Sequence, residues 1–190
     1  MNKIWQMWEG ELSEGVINRI TTECELYQPM TANVGLGDDG KVKEQVRSST
    51  VRWIDPNDTD SAFITNLLWK YVAFANRNAF GVDVTNIFDI QYTIYEAKDS
   101  GHYDWHYDTF WGNDTNMDRK LSITVQLSDP TDYEGGDFLI DPQYQNPDPD
   151  ALKTKGTILV FPSVIRHQVT TVTKGTRKSL VAWVEGPKWR

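Results

Sequence analysis

The chain has 190 residues, with 19 basic and 27 acidic side chains, a formal charge of −8 and one cysteine, Cys24. A single cysteine excludes an intrachain disulfide and any multi-cysteine metal site, and one domain spanning 1–190 can bury roughly 70% of its unfolded surface without either. A chain this acidic gains little from neutralising phosphates, which argues against a nucleic-acid partner, although from Lys153 onward eight Lys or Arg face one acid, Glu185, and could receive a small anion.

No apolar run approaches the ~20 residues of a membrane span, and the first ten residues are too broken by polar side chains for a signal peptide. With its lone, reduced cysteine this predicts a soluble cytoplasmic protein, in which Asn57-Asp58-Thr59 and Asn113-Asp114-Thr115 match a glycosylation triplet by chance. Taken in order, Ser13 reads as an N-cap ahead of Val16, Ile17, Ile20 and Cys24 at helical spacing, giving a helix over 13–25. Gly35, Gly37 and Gly40 among acids predict a mobile loop around one short strand within 31–49, and Thr50 to Ile54 alternates as a strand. Phe63, Leu67, Tyr71 and Phe74, widened by Ile64, Leu68, Val72 and Ala75, predict a core helix over 60–76. From Ile87 the period becomes two, with strands near 90–95, 102–108, 120–127, 136–140, 156–161, 167–172 and 177–184 and a polar loop over 141–151. Two helices followed by seven or eight strands predict a mainly β fold, a sandwich or barrel with flanking helices.

The chemistry concentrates in Gly101-His102-Tyr103-Asp104-Trp105-His106-Tyr107-Asp108, where a histidine and a carboxylate two residues apart point to one face of a strand. With one imidazole from elsewhere they make the two-His-one-carboxylate facial triad of non-haem Fe(II), and the third histidine of the chain, His167, lies in an apolar strand after Phe161-Pro162-Ser163. In a straight strand His102, Asp104, His106 and Asp108 share a face, so spacing alone does not choose between the overlapping pairs. Ten residues after His167, Arg177 enters an apolar strand ahead of Val181 and Trp183 at period two, which asks for a carboxylate to meet its fork.

These residues, with Tyr95, Gly101, Tyr103, Arg119, Ser122, Gly135-Gly136-Asp137 and Ser179, and with Arg47-Ser48-Ser49 upstream, resemble the Fe(II)/2-oxoglutarate-dependent dioxygenases, above all their prolyl 4-hydroxylase-type branch. The resemblance implies a double-stranded β-helix, or jelly roll, with the site between its sheets. It also favours His106 and Asp108, because this branch carries an aromatic three before the ligand histidine, as Tyr103 stands before His106, where the earlier pair has Asp99. By the same resemblance, His106, Asp108 and His167 are the metal and catalytic residues. Arg177, with Tyr95, Ser122 and Ser179, would take 2-oxoglutarate. Tyr103, Trp183 and Trp111 would face substrate. Dioxygen is the other cosubstrate and ascorbate a reductant. Many prolyl 4-hydroxylases have lysine where this chain has Arg177, and a carboxylate at Asp108 implies hydroxylation in place of halogenation. The substrate implied is a peptide, proline first, with a free amino acid or another small molecule as the alternative and a non-catalytic jelly-roll module as a third class. Residues 31–49 and 109–118 are the expected lids, with Phe110 and Trp111 placed to stack on a flat ring.

Overall fold

In the computed structural model, described over residues 4–32, 46–109, 111 and 114–189, strand β1 (Gln6–Trp8) precedes helix α1 (Glu14–Glu25), whose first free amides, Val16 and Ile17, donate to the Ser13 carbonyl. Strands β2 (Met30–Thr31), β3 (Arg47–Ser48) and β4 (Thr50–Ile54) lead to α2 (Ala62–Ala75). Then follow β5 (Asn86–Glu96), β6 (His102–His106), β7 (Met117–Gln126), β8 (Tyr133–Gly135) and β9 (Phe138–Ile140). A short helix, α3 (Pro149–Lys153), capped by the Asp148 carboxylate, interrupts the stretch expected to be loop, and β10 (Ile158–Pro162), β11 (His167–Val169) and β12 (Val172–Pro187) complete the chain.

Among the described residues the larger antiparallel sheet runs β1-β10-β7-β12-β5-β4-β2, with β8 on β12, and the smaller runs β3-β6-β11-β9. Their pairing is the double-stranded β-helix that the resemblance implies. Period-two alternation decides what each face of the large sheet meets. On β7, Leu121, Ile123 and Val125 are fully buried in a core shared with Ile17 and Ile20 of α1 and Ile64, Leu68 and Val72 of α2. Leu180, Ala182 and Val184 of β12 and Ile90 and Tyr92 of β5 join them. Each fully buried Leu, Ile or Val among them contributes roughly 1.5–3 kcal/mol. The alternate positions, Ser122 and Thr124 on β7, Arg177, Ser179 and Trp183 on β12, and Gln91, Thr93 and Tyr95 on β5, are left to the space between the sheets, where polar groups serve a site.

The stripe on α2 lies differently from its expected centre. Ile64, Leu68, Val72 and Ala75, which widen the stripe, are buried with Tyr71 of its central line, Phe63 and Leu67 pack partly buried against the core, and Phe74 is 41% exposed. The expected lid over 31–49 lies mostly outside the described residues, as do Phe110, Gly112 and Asn113 of the second.

Candidate active site

The strand that carries His106 is not straight. Across the antiparallel pair of β6 and β11, His106 pairs His167 and Tyr103 pairs Val169, so two residues of β6, Asp104 and Trp105, stand opposite the single Gln168. That extra residue is a β-bulge, and it reverses the parity of the strand. Tyr103 and His106, three apart, therefore face the same way, their rings stacked with centroids 3.5 Å apart. The expectation that His102, Asp104, His106 and Asp108 share one face is corrected by this bulge. Asp104 is exposed and accepts from the Trp105 amide, and the Nδ1 of His102 lies 2.8 Å from the Ser100 carbonyl, away from the cluster.

His106, Asp108 and His167 converge, each offering one ligand atom, all within 4.8 Å of one another. The Nε2 atoms of His106 and His167 lie 3.6 and 3.5 Å from the Asp108 carboxylate oxygens. Three atoms cis on one ion stand roughly 3 Å apart, so this set closes on a metal with small side-chain shifts. Second contacts prepare it. The Nδ1–H of His106 donates to the Asp104 carbonyl at 2.7 Å, and that of His167 to the Ile165 carbonyl at 2.9 Å. A carbonyl cannot donate, so Nδ1 carries the proton and each Nε2 keeps its lone pair for an ion. Ser122 Oγ–H donates to Asp108 Oδ2 at 2.6 Å and, its one proton spent, accepts from Ser163 Oγ at 2.9 Å. The Asp108 amide donates to the Ser163 carbonyl.

Burial, with His167 facing it, pushes His106 down to about 4, so the imidazole is neutral at pH 7 and ready to ligate. Burial would raise Asp108, but the two imidazoles and the Ser122 hydroxyl outweigh it and hold the carboxyl below its usual range. Burial pushes the Tyr103 phenol up to about 12.

The cluster opens into a narrow cavity between the sheets. Arg177 lies in its wall, 4% exposed, paired across the ladder with Tyr95, whose ring is 5.7 Å from the guanidinium. Ser179, Thr124 and Val181 also line the cavity. Gly136, at φ +60°, passes the stem of Arg177 where a Cβ would sit 3.0 Å from its Cδ. Trp183, further along the same face of β12, is buried 5.9 Å from the half-exposed Trp53, with the Arg119 guanidinium 4.3 Å above its ring. Phe138 and Phe161 pack on His167.

Of the residues expected to serve the site, His106, Asp108, His167, Arg177, Tyr95, Ser179, Tyr103 and Trp183 all line this cavity. Ser122 does not: its hydroxyl is committed to Asp108, on the ligand side and not beside Arg177. Trp111 is 66% exposed and outside the lining. Sequence reasoning missed Ser163, Thr124 and Gln91. The alternation that turns Gln91 and Thr124 inward is visible in the strands, but the contact of Ser163 with Ser122 depends on tertiary pairing alone.

The profile of the 2OG-Fe(II) oxygenase superfamily matches residues 90–185, which span every residue of the cluster and Arg177. The chain belongs to that superfamily, whose cofactors are Fe(II) and 2-oxoglutarate, with dioxygen. It is 39% identical over 95 residues to a PKHD-type hydroxylase of Synechococcus sp. (strain CC9311), covering 50% of this chain and 41% of that one. It is 32% identical over 127 residues to a PKHD-type hydroxylase of Crocosphaera subtropica, covering 65% and 52%. The chain thus spans about half of the length of these relatives. In fold it is similar to a Pseudomonas putida prolyl-4-hydroxylase, with a TM-score of 0.71 at 18% identity over 97% of this chain and 94% of that one. A prolyl hydroxylase from Trichoplax adhaerens, solved with a hypoxia inducible factor peptide fragment, gives 0.71 at 15% identity over 95% and 83%. Among the described residues no helix is long and apolar enough to cross a membrane.

Proposed function

We propose that this chain is an Fe(II)- and 2-oxoglutarate-dependent dioxygenase that hydroxylates an unactivated C–H bond of a peptidyl residue, proline first, with release of succinate and carbon dioxide. The observation that carries this reading is the convergence of His106, Asp108 and His167 with Arg177 in one cavity wall. When bound, the iron and its cosubstrate supply the oxidising chemistry, which no side chain can. The residues do the rest. His106, Asp108 and His167 hold the ion through three donors and leave its other positions to ligands. Arg177, beside Tyr95, Ser179 and Thr124, takes the far carboxylate of 2-oxoglutarate through its planar fork. Phe138, Phe161 and Val181 keep water from the centre, and Tyr103 and Trp183 face the substrate. Ascorbate would serve as reductant, and Trp111 stands as an outer contact for an extended substrate.

The peptide assignment draws on the names of the relatives and on the peptide complex of the Trichoplax enzyme. A small-molecule substrate is favoured instead by the narrowness of the cavity between the two sheets. The experiment is succinate release under Fe(II) and 2-oxoglutarate with proline-containing peptides against free amino acids. Peptide-stimulated succinate is the expected result. Stimulation by free amino acids alone would move the assignment to small molecules, and no succinate under any condition would overturn the oxygenase reading.

A further inference from the structure

A second arginine, Arg47, stands in the cavity wall, and the reaction as assigned above does not use it. Its side chain is 5% exposed. It enters from β3 opposite Tyr103, with the guanidinium carbon 4.4 Å from the Tyr103 ring, and Tyr103 is itself stacked on His106. Arg47 and the cluster residue His106 thus both pack on the Tyr103 ring.

Its partners are neutral. Nε donates to Ser49 Oγ at 2.9 Å and Nη2 to Gln91 Oε1 at 2.6 Å, an oxygen that also accepts from Thr93 Oγ1. Among the described residues no carboxylate pairs with Arg47 and its Nη1 has no hydrogen bond. Gln91 is turned by its bond to Arg47, and the amide nitrogen it leaves over is buried without a partner. A buried cation held only by neutral groups is costly until an anion reaches it. The described lining of the cavity offers two arginines against one carboxylate, Asp108. Asp108 is committed to the ion and Arg177 to the cosubstrate, which leaves one positive charge unanswered.

We infer that Arg47, with the Gln91 amide beside it, binds a carboxylate of the substrate, so that the substrate is an acid whose reacting carbon lies a few bonds from that group. The carboxylate comes either from a free amino or imino acid or from the C-terminus or an acidic neighbour in a peptide. Arg47 also lines the polar cleft next to the cavity, with Ser48, Glu96 and Asp99, so a chain continuing from such an acid has room to leave. This inference rests on the oxygenase reading and narrows its substrate.

The test is calorimetric binding to the protein loaded with Mn(II) and 2-oxoglutarate, which needs no turnover. The probes are L-proline, N-acetyl-L-proline and the peptides Ala-Pro-Glu and Ala-Pro, each against its carboxamide. At least one acid is expected to bind about tenfold or more tighter than its amide, the worth of one charge-assisted pair. Arg47→Gln should abolish that preference and Arg47→Lys should restore part of it. A preference confined to the free amino acids marks a small-molecule source, and one confined to the peptides marks a peptide source. A panel in which no acid outbinds its amide, or a preference that survives Arg47→Gln, overturns the inference. So does loss of 2-oxoglutarate binding in Arg47→Gln, which would assign this arginine to the cosubstrate. Should the wild-type protein with Mn(II) bind no 2-oxoglutarate at all, the oxygenase reading itself fails, and that first titration separates the two.

Discussion

Tyr103 and His106 lie three residues apart on one strand yet stack face to face, their planes 11° apart, because a bulge at Asp104 and Trp105 turns the strand between them. The bulge selects which His-x-Asp pair can meet His167. Replacing His106 with Ala should weaken divalent-metal binding by at least about 100-fold, more than a lost second contact costs. His102→Ala should leave it within a few-fold of the wild type. Titration of both variants with Mn(II) reads the difference, and the reverse order would place the site on the other pair.

Asp108 is held by a chain of hydroxyls, Ser163 to Ser122 to the carboxylate. Ser122→Ala removes the donor that fixes Oδ2 and should cost about 10–100-fold in metal affinity, with Ser163→Ala acting in the same direction and less. Unchanged affinity in Ser122→Ala, measured by the same titration, would show that the carboxylate needs no such support.

Gly136 adopts a φ of +60° against Arg177, with Val172 Cγ2 2.9 Å and Arg177 Cδ 3.0 Å from where a Cβ would stand. Gly136→Ala should displace the guanidinium and raise the 2-oxoglutarate Kd about tenfold, the value of one charge-assisted hydrogen bond. The backbone itself pays ~1 kcal/mol at such a φ. Metal affinity, measured alongside, should hold, since Arg177 is not a ligand. A parallel fall in both would mean general unfolding.

His106 sits at about 4 against an ordinary value of 6.5 because burial disfavours its charged form. Below pH 6.5 the unfolded chain takes up a proton that the folded chain refuses, so stability of the metal-free protein falls as pH drops from 6.5 to 4 and this loss is absent above 6.5. Asp108, held below 3.8, adds its own loss only at more acidic pH, where it too must protonate. In thermal melts across that range His106→Gln should show a shallower decline than the wild type. Parallel curves would remove His106 as the source.

Much of this was legible in the chain because period-two alternation carries it. Ser122, Thr124, Arg177, Ser179 and Trp183 turn away from the helix-covered core, where Leu121, Ile123, Leu180 and Ala182 are buried, and that sorting is local. The choice between His102 and His106 was not local. Spacing left it open, resemblance alone favoured His106, and the physical reason is a register shift that appears only when β6 pairs β11. Ser122 illustrates the same limit from the other side. Its facing was readable, yet its partner, Asp108 in place of a cosubstrate, depends on where the end of β6 meets β7. The short β1, which adds an edge to the large sheet through Gln6 and Trp8, has no alternation long enough to announce it.

The most direct measurement is the 2-oxoglutarate affinity of the protein with and without Mn(II), repeated for Arg177→Gln. The account predicts tight binding only when the metal is present and a loss of about tenfold or more without the Arg177 fork. Binding that is equally tight without metal, or indifferent to Arg177, would contradict the claim that the three ligands and this arginine form one site.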